Sequence, residues 1–379
     1  MKRNHLFLLL ALAAMLLSCK PNKPVEPSEF TVGSGVFVLN EGLFQFSDGS
    51  LTFYDIEADT VVNNLFYKVN NAPLGDVPES MALVDGKLYI VVNSSNYIYK
   101  VDANTIAFDT TKPFKMVDFY SPREMHFVAP DKAYVSDLVG TNLWIINPQN
   151  MTHTGTVAMG NTTEKMVQVG NELYVSNWSI YYFVNDPNSH ESYNTVQVVD
   201  LNNDMKVADI EVGKEPNTMV VDKNGHVWVL CEGRSWDEES DVNGVPYGEN
   251  PTLWEIDPMT KIATQRYEFK GPYEEDDEVK GTAASLKANP VGDQFYLIYN
   301  NEVRRFDLAT MSLSETFRIT PGQHGLFHNM AVDPKTGDLY VADATESYSV
   351  DGTVYRYTSD GLLLASFKAG LIPSAMLFK

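Results

Sequence analysis

Between residues 78 and 102 the chain reads PESMALVDGKLYIVVNSSNYIYKVD, with its apolar positions in short runs broken by turn residues. Residues 81–84 form one apolar run. Asp85-Gly86 then supplies a two-residue hairpin turn, because both residues tolerate positive φ. Residues 87–92 are a β-rich run, 93–96 a polar loop, and 97–101 alternate as a third strand. A fourth strand is predicted at 114–119, before Ser121-Pro122 opens the next unit. The unit is a four-stranded antiparallel meander.

It recurs. The first strand and the residues before it are matched at Ser121-Pro122-Arg123-Glu124-Met125, Thr163-Glu164-Lys165-Met166, Pro216-Asn217-Thr218-Met219, residues 282–286, Phe327-His328-Asn329-Met330 and Pro373-Ser374-Ala375-Met376. From Met81 the anchors fall at 125, 166, 219, 286, 330 and 376, giving intervals of 44, 41, 53, 67, 44 and 46 residues. Four strands at a period of ~40–50 residues specify propeller blades. Seven anchors predict an all-β, seven-bladed β-propeller.

The two ends complete each other. After Met376 only three residues remain, so the seventh match has one strand and no partners. At the other end, 36–40, 51–55 and 62–67 read as three strands with no first strand. A blade of one C-terminal and three N-terminal strands closes the ring and removes an edge that invites aggregation.

Residues 1–18 read as a targeting segment, with Lys2 and Arg3 ahead of an apolar run at 6–17 that is too short to span a bilayer. It ends Leu16-Leu17-Ser18-Cys19, which is similar to the lipobox of bacterial lipoproteins and makes Cys19 the expected lipidation site. Residues 19–31 then hold the lipidated cysteine and a proline-rich tether, and 32–379 the propeller. Acyl chains at Cys19 anchor the chain to a membrane.

Charge and cysteine content remove some classes. A net charge of −22 without a basic stripe argues against nucleic acid as a partner. Cys231 is the one cysteine besides Cys19, so no disulfide is expected in the ring, and its apolar run marks it as a core residue. No Gly-x-Ser-x-Gly elbow, phosphate loop, His-Glu-x-x-His or CxxC is present, and the chain is read as non-catalytic. An acid–base pair such as Glu124 or Glu164 with His328 has no positive support in the sequence. No intrinsic metal or cofactor is expected. Two weaker metal patterns are the His324/His328 spacing and the acidic loop Asp237…Asp241-Val242-Asn243-Gly244. Neither matches a motif, and 274–278 read as a solvated acidic run.

Because strands alternate direction, the turn before strand one and the loop between strands two and three share a face. Every second strand ends at or beside a polar acceptor: Asn40, Asn93, Asp137, Asn177, Glu232, Asn300 and Asp343. Turn formation accounts for much of that. The adjoining loops are long and aromatic, with Phe44 and Phe46 in 41–50, Trp178, Tyr182 and neighbours in 177–194, Arg234, Trp236 and Tyr247 in 232–251, and Tyr348 in 343–352. The turns before strand one add Arg123, Lys165, Asn217, His324 and His328. Aromatics among small polar residues are how a binding face presents rigid contact area.

With the lipobox, the tether and repeats such as PNTMVVD (216–222) and NMAVDPKTGDLYV (329–341) in place, the chain resembles the cobalamin-binding surface lipoproteins of the Bacteroidetes, the BtuG type with YncE-like blades. The resemblance implies capture of cobalamin or related corrinoids at an outer membrane, and transfer to a BtuB-like TonB-dependent barrel. A glycan- or other nutrient-binding lipoprotein and a propeller enzyme of lactonase or lyase type are the alternatives, since a fold does not decide a function.

Overall fold

The computed structural model describes residues 31–109, 112–115, 120–178, 194–233, 249–270 and 282–379. They form seven four-stranded antiparallel sheets around a central channel, the expected propeller. The inner strands are Pro373–Phe378, Pro78–Val84, Pro122–Ala129, Met166–Val169, Pro216–Val221, Ala283–Ala288 and Phe327–Val332. Four of them open on proline, which cannot donate to a ladder and is tolerated at a strand's first residue.

Ring closure follows the predicted arrangement. Pro373–Phe378 pairs with Gly35–Asn40, in the register Val36↔Phe378 and Val38↔Met376, and Ser50–Asp55 and Thr60–Val62 complete the blade. Gly35 and Lys379 exchange both backbone hydrogen bonds at the end of that pair.

Alternation along the second strands divides the core into seven clusters, one at each junction between neighbouring blades. On Lys87–Val92, for example, Leu88, Ile90 and Val92 enter the cluster shared with the first blade, while Tyr89 and Val91 enter the one shared with the third. Each cluster takes one anchor: Met81, Met125, Met166, Met219, Leu286, Met330 or Met376. The recurring methionine thus plugs the axial end of a blade junction, where an unbranched side chain fits an irregular gap. Met330→Ala is expected to cost about 2–4 kcal/mol, because little around that site can collapse into the void. Denaturant melts of the two proteins would show it as a lower midpoint at unchanged slope.

Two local expectations need adjustment. Residues 62–67, read as a strand, instead hold the end of Thr60–Val62 and the start of the helix Leu65–Asn70. Asn64 and Asn71 bracket that helix in the left-handed conformation (φ 55° and 49°), and it buries Leu65 and Phe66. Phe66 packs on Tyr99 and Phe108 at 4.7 and 5.4 Å between ring centroids, so tertiary burial decided a run whose apolar pattern suits either state. The fourth strand of the second blade is Phe114–Lys115, and 116–119 lie outside the described residues. At Asp85-Gly86 both φ angles are positive (49° and 72°), as the hairpin reading requires.

Candidate binding site at the channel mouth

Several inner strands begin with a bulge, where the register shifts between Pro78 and Ser80, Pro122 and Met125, Pro216 and Met219, and Phe327 and Asn329. A bulge leaves residues unpaired and re-aims their side chains. The residues so placed are Glu79, Arg123 with Glu124, Asn217 with Thr218, and His328. All of them line a channel of about 780 Å³, together with Glu41, Glu164, Lys165, Glu232 and Lys287.

Most of these charges are consumed by one another. Arg123 forks onto Glu164, with Nε 2.8 Å from Oε2 and Nη2 2.9 Å from Oε1, and its Nη1 lies 2.8 Å from Glu79 Oε2. Lys165 Nζ bridges Glu79 Oε1 at 2.9 Å and Glu164 Oε1 at 3.3 Å. Burial opposes ionisation of Glu79, but the Arg123 and Lys165 charges outweigh it and hold the carboxyl at about 2. Burial likewise works against both cations, and the Glu79 and Glu164 carboxylates still push them above their ordinary values. Fork geometry and four matched charges keep a buried cluster of this kind ionised.

Two channel groups behave differently. Burial pushes the Glu124 carboxyl up, although its Oε2 accepts the Met166 N–H at 2.7 Å. Burial, reinforced by repulsion from Lys165, pulls Lys287 down to about 8. At the mouth, burial disfavours the charged form of His328, but its contact with Glu41 (3.1 Å) prevails and raises it. The His328 ring also meets Tyr348 edge-on, 6.4 Å between centroids.

The acceptors that end the second strands turn inward and hold the blades. Asn40 donates to Ser50 and Thr52 and accepts the Gly370 N–H, and Asn93 donates to Ser121 and Pro122 of the next blade. Asp137, fully buried, accepts the N–H groups of Tyr120, Ser121, Val139 and Gly140. Asn177 ties Thr162 to Gln197, Asn300 accepts the Thr282 N–H, and Asp343 accepts those of Leu326 and Thr345. Turn formation, the plainer of the two sequence readings, describes their contacts. Glu232 alone of the series lines the channel, accepting from Trp178 Nε1 (3.2 Å) and Asn217 Nδ2 (2.8 Å).

The aromatic expectation fares differently. Phe44 and Phe46 are 59% and 71% exposed, and Tyr348 is 37% exposed. Their loops meet the mouth: Asp76 grips the Gln45 N–H, and Glu41, which starts the Phe44 loop, touches His328. Tyr120, 64% exposed beside Asp137, is a rim aromatic that the sequence reading passed over. Glu79, Glu41 and Lys287 were also missed. A charged residue one to three positions before an anchor was the available signal for Glu79. Cys19, Tyr182, Arg234, Trp236 and Tyr247 lie outside the described residues, as do 237–244 and 274–278.

A family model described as Domain of unknown function (DUF5074) matches residues 34–362. The chain belongs to the DUF5074 family. Comparison with curated protein sequences gives no significant match. Among solved structures, this DUF5074 propeller is similar to the periplasmic gluconolactonase PpgL of Pseudomonas aeruginosa, at 11% identity over 91% of this chain and 99% of that one, with a TM-score of 0.63. A protein from Lactobacillus plantarum aligns at 15% identity over 92% and 100%, TM-score 0.62. Kuenenia stuttgartiensis hydrazine synthase aligns at 15% over 78% and 88%, TM-score 0.59. At these identities the likeness shows the shared propeller fold.

The DUF5074 ring brings together one set of possible metal ligands among the described residues, Asp222, His226 and Glu255. Each of the three already has a protein partner, His226 through its contact with Glu255. Asp222 accepts from Trp228 Nε1 and two backbone N–H groups, and Arg266 holds Glu255 at 2.6 Å. His324, 75% exposed, pairs with Glu346 rather than with His328. Cys231 is fully buried, and burial pushes its thiol up, in keeping with a core role.

Proposed function

We propose that this DUF5074 propeller captures a corrinoid, cobalamin or a relative, on the mouth face without turning it over. In this reading it is a lipoprotein held at the outer membrane through Cys19, and it passes the ligand to a BtuB-like TonB-dependent barrel. The observation that carries the reading is the rim. Phe44, Phe46, Tyr120 and Tyr348 are exposed, on loops that adjoin a polar mouth where most charges are already paired. A corrinoid is a broad disc edged with amides. Apolar contact with its faces and uncharged or internally balanced hydrogen-bonding partners for its edge are what such a ligand needs. Asn217, Glu232, Glu41 and His328 supply partners inside that rim. The lipobox and the resemblance to cobalamin-binding lipoproteins support the same ligand. For a glycan, coplanar rings along a groove would be expected. Among the described residues the rim contact between His328 and Tyr348 is edge-on, at 82°.

Calorimetric titration with cyanocobalamin tests the proposal. One site per chain is expected, with Phe46→Ala and Tyr348→Ala each weakening binding about tenfold, as truncation of an aromatic anchor does. No heat at high micromolar ligand would sink the corrinoid reading and leave the propeller intact.

A further inference from the structure

Among the described residues, Lys287 is the channel cation without a partner. Arg123 and Lys165 share Glu79 and Glu164, and His328 has Glu41. The Lys287 amine, half-buried on the channel wall, has no carboxylate at ion-pair distance and no hydrogen bond among the described residues. Its place in the repeat is also unusual. Lys287 lies one residue after its anchor and pairs with Tyr296 on the second strand. The same position in the other blades, opposite Tyr89, Tyr134, Tyr174, Trp228, Tyr340 and Phe37, holds Ala82, His126, Val167, Val220, Ala331 and Leu377. A lysine is therefore not needed there to build a blade.

Two further features bear on what the amine does. Lys165, on a neighbouring part of the wall, repels its charge and burial disfavours it, so the neutral amine is populated near neutrality. A lysine desolvated beside a second cation is an activated nitrogen nucleophile. Glu124 lines the same channel and its field also reaches Lys287. Its Oε2 is tied to the Met166 N–H, whereas Oε1 carries no hydrogen bond among the described residues, and burial favours its protonated form.

We infer that Lys287 is a covalent capture site for an aldehyde or ketone, with Glu124 as the proton donor that completes imine formation. The neutral Nζ attacks the carbonyl carbon, a C–N bond forms, and one proton passes from nitrogen to oxygen to give the carbinolamine. Glu124 protonates the hydroxyl, the C–O bond breaks and water leaves. The product is an iminium cation in a channel that the Glu124 carboxylate also lines. No oxidant or reductant is required. The site stands apart from the corrinoid reading, which uses the rim rather than this amine.

The test is reductive labelling of the intact protein at pH 7 with acetaldehyde and cyanoborohydride, ethyl-lysine being mapped by peptide mass spectrometry. Lys287 is expected to react about tenfold or more faster than the exposed Lys335 and Lys223, because a neutral amine is what adds to the carbonyl. A rate no greater than theirs overturns the proposal, and this measurement needs no variant. Glu124→Gln is then expected to slow Lys287 severalfold while Lys335 is unchanged. An unchanged Lys287 rate removes Glu124 from the step. No corrinoid is present in either experiment, so this inference and the binding reading fail separately.

Discussion

Deleting Pro373–Phe378 is expected to abolish cooperative folding. The segment is the inner strand of the first blade, and it covers Gly35–Asn40, a strand whose six residues are all buried. Its loss strips Met376 and Phe378 from the cluster between the seventh and first blades, and removes Phe378 from its 5.1 Å contact with Tyr340. It also leaves a long apolar edge with unpaired N–H and C=O groups, a template for association with other chains. The shortened protein should elute as soluble aggregate and be cut rapidly by protease within its first three strands. A monomer with a sharp melt within a few degrees of the parent would mean that the remaining six blades close on their own. Removing Lys379 alone loses only its terminal backbone bonds and its side-chain contact to the Val32 carbonyl, and should be mild.

Arg123→Met should destabilise the ring by about 3–5 kcal/mol, the cost of leaving buried partners of an ion pair uncompensated. Glu164 is fully buried and Glu79 nearly so, and Lys165 alone cannot match two carboxylates. The pH dependence identifies the cause. Glu79 is held at about 2 in the folded protein against an ordinary 4.5, so its contribution is complete above 4.5 and is lost as pH falls toward 2. In Arg123→Met the Glu79 carboxyl gains less from ionising on folding, with Lys165 its one remaining cation at ion-pair distance among the described residues, so acid should cost the variant less than the parent over that window. Denaturant midpoints at pH 7, 4.5 and 3 would read both effects. Parallel loss in the two proteins across that range would place the acid sensitivity elsewhere.

The ring was legible because its cues are local and repeat. Each anchor sits a fixed few residues before a β-rich second strand, turns such as Asp85-Gly86 carry their own backbone preference, and the incomplete units at the two ends fit one blade. The helix Leu65–Asn70 was not legible, since Leu65 and Phe66 suit a strand or a short helix and only packing against Tyr99 and Phe108 chooses. The site was legible in part. Long aromatic loops pointed to Phe44, Phe46 and Tyr348, which are exposed as a binding face would need, whereas Asp137 and Asn177 have chemistry suited to a ligand that the blades themselves use up. The charge cluster draws Glu79, Arg123 and Glu164 from three successive blades, and nothing along the chain reports that bulges aim Glu79 and Arg123 at the axis where Glu164 meets them.

The pairing of Gly35 with Lys379 also sets the face at which the chain enters the ring. The chain joins the ring at the end of the channel remote from Glu79, His328 and the aromatic rim. Residues preceding Gly35, were they moored, would attach on the face opposite the rim and leave the channel mouth unobstructed. A ligand would be met there first, and delivery to a carrier seated in the mooring surface would require the whole ring to roll over on its leash.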